Sequence, residues 1–227
     1  METQHRSLLN PLPWAVWALL LPVAGVEAVL LAAQAGLVGG PEGIGWRIGA
    51  IQRLGFSGAL MDHVLATRRF THAHIWRPLS YPLVQFSWLQ TVFVLVLLAA
   101  LGRAVGQVLS GPALLAVALG ASAGGALAYG AAFAEPFWLV GGYPMVFGLL
   151  GAFAVLIWKG QTGTEAPRMR ALGLVGALLV LRLGVGLTLG TGQEWLADLA
   201  AFAIGLLLSL LLAPGGGRAL LQRLRRA

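Results

Sequence analysis

Cutting a peptide bond by nucleophilic catalysis needs an attacking oxygen or sulfur, a base within hydrogen-bond reach, and donors for the developing oxyanion. A thiol is missing here: the 227 residues contain no cysteine, so disulfides and zinc–thiolate sites are missing too. The serine hydroxyls are those of Ser7, Ser57, Ser80, Ser87, Ser110, Ser122 and Ser209, and all four histidines (His5, His63, His72 and His74) precede residue 75. His63, His72 and His74 read as solvated loop histidines, since Asp62 is the lone acid beside them and a metal site asks for more. Neither a metal nor a cofactor is expected. Glu27, Arg182 and Asp198 stand inside apolar runs, where charge is costly and normally meets a partner or a wet cavity.

The elements that must position these groups are membrane helices. Hydrophobic residues make up 58% of the chain and charged residues 10%, whereas soluble domains carry about 25% charged residues. The expected class is an all-α integral membrane protein. Six runs reach or approach the roughly 20 apolar residues of a spanning helix: 13–37, 81–101, 112–133, 137–158, 171–190 and 195–213. The first reads as a retained span, because Arg6 is its only preceding base and no Ala-x-Ala exit follows. Residues 1–12 then form an N-terminal extension, 13–213 the membrane domain, 38–80 its long outer loop, and 214–227 a basic tail.

Net charge of +7, from fourteen arginines and one lysine against eight acids, concerns topology and lipid before nucleic acid. Six spans put both termini on one side, with Arg6, Arg103, Lys159, Arg168, Arg170, Arg218, Arg223, Arg225 and Arg226. Five bases lie opposite, all in the 38–80 loop, and long loops weigh little in the positive-inside rule. Both termini are therefore expected in the cytoplasm, with the tail against anionic lipid. Arginine over lysine and abundant Ala, Gly and Leu suggest a GC-rich bacterial source, hence an inner membrane.

In the loop, Trp46, Ile48, Ile51, Leu54 and Phe56 alternate with Arg47, Gln52 and Arg53, which predicts an amphipathic segment at the interface. Small residues recur four apart at Gly102/Gly106, Gly120/Gly124, Gly148/Ala152, Gly186/Gly190 and Ala197/Ala201/Gly205, ridges that let helices approach closely. Asp198 shares a face with Ala201 and Gly205. It pairs with Arg182 or faces a cavity, and simple snorkelling by Arg182 is a third arrangement. No partner for Glu27 is evident.

The fourth span carries Gly141, Gly142 and Pro144 near its middle. Proline is unfavourable inside a helix and preorganised for its first turn. Either the helix is continuous and kinked, or it begins at Pro144 and is too short to cross alone. In the second case residues 136–143 dip into the membrane as irregular backbone, tolerated when buried in protein or lining a wet cavity. Amides at that helix start would then point into the cavity.

Several of these stretches resemble the rhomboid family of six-helix intramembrane serine proteases. WRPLSYPLVQFSWLQTVFV (76–94) resembles the family's outer loop and second helix, with its Trp-Arg pair on Trp76 and Arg77. LGRAVGQVLSG (101–111) resembles the turn between the second and third helices. GGYPMVFGLLGAF (141–153) falls on the Gly-x-Ser-Gly segment, and ADLAAFAIG (197–205), ending on Gly205, on the Ala-His-x-x-Gly-x-x-x-Gly run of the sixth helix. The resemblance covers roughly residues 70–213 and implies a rhomboid-like six-helix bundle with a short fourth helix.

What the resemblance does not carry over is the catalytic set. The serine position holds Pro144 and the histidine base position Asp198; the oxyanion-side histidine and asparagine fall on Gln90 and Val94. An upstream histidine falls on Gln85, and the glycine after the serine on Met145. No catalytic residue is expected, because nucleophile and base act as a unit. Gln85, Gln90, Gly141, Gly142, Tyr143, Pro144, Met145 and Asp198 are expected to line the cavity, with Trp76, Arg77, Arg182 and Gly205 structural. The expected function is a non-catalytic pseudoprotease that binds transmembrane segments of client or partner proteins. Alternatives are an accessory subunit of a larger membrane complex and an active serine-type peptidase with a divergent site. An aspartyl-type site would need Glu27 or Glu194 to approach Asp198. A hydroxyl engaged with an imidazole or carboxylate at cavity depth would count against the pseudoprotease reading.

Overall fold

The computed structural model describes residues 12–68, 72–134, 137–161 and 193–213, plus isolated helical positions at Gly173, Gly176, Ala177, Val180 and Gly184. For 72–74 only the backbone is described. Arg182, Gly186, Gly190 and most of the expected fifth span lie outside these residues, as do 1–11 and the basic tail.

Eight helices are described in full: α1 (Trp14–Gln34), α2 (Trp46–Leu54), α3 (Gly58–Thr67), α4 (His72–Ser80), α5 (Trp88–Gly106), α6 (Gly111–Ala132), α7 (Tyr143–Trp158) and α8 (Trp195–Leu212). Short 3-10 turns occupy Gly40–Gly45 and Tyr81–Leu83. Helices α1, α5, α6 and α8 are long and apolar enough to cross a membrane. Among the described residues the one β feature is an isolated bridge between Phe56 and Leu139. The chain has an all-α membrane fold.

The start of the second span differs from the sequence expectation. Helix α5 begins at Trp88, seven residues after the predicted start at 81. Pro82 removes an amide in the Tyr81–Leu83 turn, Val84 is extended, and Ser87 (φ −148°) caps the helix by accepting from Gln90 N at 3.3 Å. The 38–80 connection holds helices, the expected amphipathic segment among them. Its apolar rhythm at 46–56 does form a helix, α2, but none of that helix is buried and Ile48 is exposed. Arg47 is half-buried along with Ile51 and Leu54, so this helix turns a charged side chain inward beside two apolar ones.

The fourth span resolves into a short helix. Residues 137–142 are non-helical and α7 starts at Tyr143, with Pro144 in its first turn. Its 16 residues rise about 24 Å, less than the roughly 30 Å hydrocarbon core. Thirteen of the 16 are buried, the mark of a helix surrounded by protein on all sides.

Small residues set the helix contacts. A Cβ on Gly102 would meet Val16 of α1 at 2.8 Å, and one on Gly120 would touch Leu208 of α8 at 3.0 Å. The tightest seam joins α7 to α8, where Gly205 lies against the Gly148 backbone and Gly151 against the Phe202 carbonyl. Gly125, whose Cβ would lie 2.6 Å from the Ala197 carbonyl, belongs to the α6–α8 contact. Gly151 escapes a four-residue count because Phe147 and Val155 stand four residues either side of it, whereas Gly125 follows Ala121 by four on a second face of α6.

Candidate functional site

The site begins with backbone that has no helix to satisfy it. Non-helical groups at membrane depth must find partners in the protein, and the lead-in to α7 finds them in the 38–87 connection. Phe56 and Leu139 exchange two backbone hydrogen bonds, at 3.0 and 2.6 Å. Gly141 N donates to Tyr81 O at 3.2 Å. Gly142 N donates to the side chain of Gln85 at 3.2 Å, and Gln85 Nε2 donates to Pro82 O at 2.9 Å. The Gly141 and Gly142 amides of the lead-in are thus taken up by the protein.

Around this lead-in the predicted lining residues come together. Gly141 adopts φ +109°, a conformation that favours glycine, and a Cβ there would also lie 2.7 Å from Gln90 Nε2. A Cβ on Gly142 would lie 2.6 Å from Val94 Cγ1 and 3.5 Å from Met145 Cε. Gln85, Gly141, Gly142, Pro144 and Met145 are buried, while Tyr143 and Gln90 are partly exposed. Gln90 Oε1 accepts from Phe86 N at 3.3 Å. A packed glutamine and aliphatic surroundings fill the position where the sequence comparison puts oxyanion-side groups.

Of the Trp-Arg pair, Arg77 is the member tied to this arrangement. Trp76 is exposed, whereas Arg77 Nη1 donates to Gly55 O at 2.7 Å and its guanidinium sits 5.4 Å from the Trp138 ring centroid. Ser80 Oγ donates to Leu54 O at 3.0 Å. Arg77 therefore ties α4 both to the end of α2 and to the segment that leads into α7.

Asp198 is 1% exposed, in the first turn of α8, and its amide donates to the carbonyl of Glu194 one turn ahead at 3.2 Å. Its proposed partner Arg182 lies outside the described residues. Close by, Tyr81 OH donates to Ser122 O and Ser122 Oγ donates to Tyr81 OH, both at 2.9 Å, with both side chains buried. Burial pushes the Tyr81 phenol far above the usual tyrosine range; the Ser122 bond opposes this, and the nearby Asp198 and Glu194 carboxylates add to it. Sequence reasoning missed the Tyr81–Ser122 pair, since neither position carries a motif.

It also missed the partner of Glu27. Arg47 of α2 grips that carboxylate with two nitrogens, Nη2 to Oε1 at 2.7 Å and Nη1 to Oε2 at 3.1 Å. Arg47 Nη1 also donates to Gln85 O at 2.9 Å, and Thr91 Oγ1 donates to Glu27 Oε2 at 2.9 Å. A hydrogen-bonded path therefore runs from α1 through α2 and Gln85 to Gly142. Thr91 with Glu27 is a buried hydroxyl engaged with a carboxylate, the kind of contact set out above as adverse to a pseudoprotease. Both carboxylate oxygens are held by Arg47, Thr91 is 2% exposed, and its hydroxyl also lies 3.2 Å from Ser87 O. This is a buried contact between α1 and α5 whose carboxylate is already paired, and Arg47 and Gln85 link it to Gly142 at the lead-in to α7.

Among the described residues no group of His, Cys, Asp and Glu is arranged to hold a metal ion. The Rhomboid domain family model matches residues 72–215, from α4 past the end of α8. No curated protein matches the chain.

Proposed function

Because the chain belongs to the rhomboid family, we propose that it is a non-catalytic member that binds transmembrane helices of client proteins without cleaving them. The observation that carries this reading is the start of α7. Pro144 stands at the nucleophile position with neither a hydroxyl nor an amide N–H, and Gln85 takes up the Gly142 amide just before it. Helices from α5 onward carry no histidine to act as base. What the fold offers a client is surface. Trp88, Leu89, Val92, Phe93 and Val96 form an exposed apolar stripe on α5, beside the lead-in to α7. Contacts from a client to such a face are packing contacts, with interhelical hydrogen bonds adding about 1–2 kcal/mol each at most. In this reading the chain lies in a bacterial inner membrane with both termini in the cytoplasm. The distribution of basic residues supports that orientation, and the basic tail would meet anionic lipid.

One observation favours a second reading, a divergent hydrolase. Buried Ser122, Tyr81 and Asp198, with half-buried Glu194 near by, gather hydroxyls and carboxylates in one region. An active-site-directed fluorophosphonate and a model transmembrane substrate separate the two readings. The purified protein in proteoliposomes is expected to stay unlabelled and to leave the substrate intact. Labelling that disappears in Ser122→Ala would establish the hydrolase instead. Pro144→Ser combined with Asp198→His is expected to remain inactive as well, because Gln85, Gln90, Val94 and Met145 still occupy the surrounding positions.

A further inference from the structure

A pocket of about 670 Å³ opens between the last turns of α1 and one face of α2, within the roughly 300–1,000 Å³ of small-molecule sites. Leu30 of α1, Glu42 and Gly45 of the Gly40–Gly45 turn, and Trp46, Gly49 and Arg53 of α2 are among its walls. Two of these are glycines that the fold itself does not require. Gly45 has φ −83° and Gly49 lies inside α2, and a Cβ on either would meet nothing within 4 Å. Glycine inside a helix costs about 1 kcal/mol relative to alanine, so Gly49 weakens α2 and leaves open space in the pocket. Glu42 and Arg53 are the pocket's two charges, both exposed, and among the described residues neither has an ion-pair or hydrogen-bond partner. A lone anion would be repelled by Glu42 and a lone cation by Arg53. An occupant that suits both carries both charges.

We propose that this pocket binds the headgroup of an aminophospholipid, with its ammonium on Glu42 and its phosphate on Arg53. A guanidinium presents a fork of donors to phosphate, and a primary ammonium has three protons to donate to a carboxylate. Position favours a lipid over a free zwitterion. Leu30 lies four residues, about 6 Å, before α1 ends at Gln34, which places the pocket at the headgroup level of that span. Trp46, 38% exposed, is the residue type that favours this layer. Bound there, the lipid would tie α2 to the bilayer, independently of any client.

Native mass spectrometry of the full chain in mild detergent, titrated with phosphatidylethanolamine, phosphatidylglycerol and phosphatidylcholine of matched acyl chains, tests the site. Phosphatidylethanolamine should be retained about threefold over the other two. Phosphatidylglycerol offers Glu42 no cation, and the methylated ammonium of phosphatidylcholine has no proton to donate. Glu42→Arg should invert the preference toward phosphatidylglycerol. Gly49→Phe, whose Cβ enters open space, should abolish the retained lipid. Equal retention of the three lipids would overturn the proposal, as would an unchanged preference in Glu42→Arg or unchanged retention in Gly49→Phe. Glycerophosphoethanolamine, the same headgroup without acyl chains, separates the two sources of the zwitterion. At equal concentration it should leave the lipid in place, and displacement would overturn the lipid assignment.

Discussion

Replacing Arg47 with methionine should cost about 3–5 kcal/mol of stability, the cost of leaving a buried carboxylate without its counter-charge. The Glu27 side chain is 7% exposed and that of Arg47 18%, so neither can turn to water without disturbing the contact between α1 and α2. Arg47 also supplies the Gln85 carbonyl with a donor, and Gln85 supplies the Gly142 amide with an acceptor. The loss should therefore loosen the lead-in to α7 as well as the 38–80 connection. Equilibrium unfolding in bicelles measures the first effect, and hydrogen exchange at Gly142 reports the second. Pairing Arg47→Met with Glu27→Leu should recover most of the loss, since removing both charges also removes their desolvation cost. Thr91 keeps the Ser87 carbonyl as a partner in that double variant. If Arg47→Met alone were neutral, the ion pair would not be what holds α2 to the bundle.

The second large effect belongs to Gly205. A Cβ there would lie 2.7 Å from Gly148 Cα and closer still to its carbonyl oxygen, and both partners are backbone that cannot rotate aside. Gly205→Val must push α8 away from α7, at a cost of about 3 kcal/mol or more. In the same bicelle assay, Gly25→Ala should be nearly neutral, because a Cβ at that exposed position of α1 meets nothing within 4 Å. Equal losses from the two variants would mean that glycine content, rather than the α7–α8 seam, governs stability.

Much of the architecture was legible because the membrane imposes a simple rule of length and hydropathy. The first, third and sixth expected spans agree with α1, α6 and α8 to within a few residues. Pro144, with Gly141 and Gly142 before it, already restricted the fourth span to two conformations, and the family resemblance favoured the one observed. The late start of α5 was harder to read, since Tyr81–Val84 is apolar enough to pass for helix and only the Ser87 cap marks the true boundary.

Side-chain pairing across the connection was not legible. A buried Glu27 demands a cation, and the 38–80 connection contains five arginines, but hydropathy alone does not say which one turns inward. The alternation around residue 47 pointed the wrong way, assigning Arg47 to the wet face of α2. Tyr81 and Ser122 are 41 residues apart and carry no spacing signal at all. Contacts of this kind depend on how the connection folds back over the bundle, which is a tertiary property.

Reading the chain as a holder of helices rests on its capturing a client intact. A photoreactive residue in place of Phe93, on the exposed stripe of α5, should be illuminated in proteoliposomes with an end-labelled model transmembrane substrate and the products resolved by size. The predicted result is an adduct with the mass of this chain plus the full-length substrate. A shortened labelled fragment, free or crosslinked, would contradict the account by showing that the protein cuts, and the absence of any adduct would contradict it by showing that this face holds nothing.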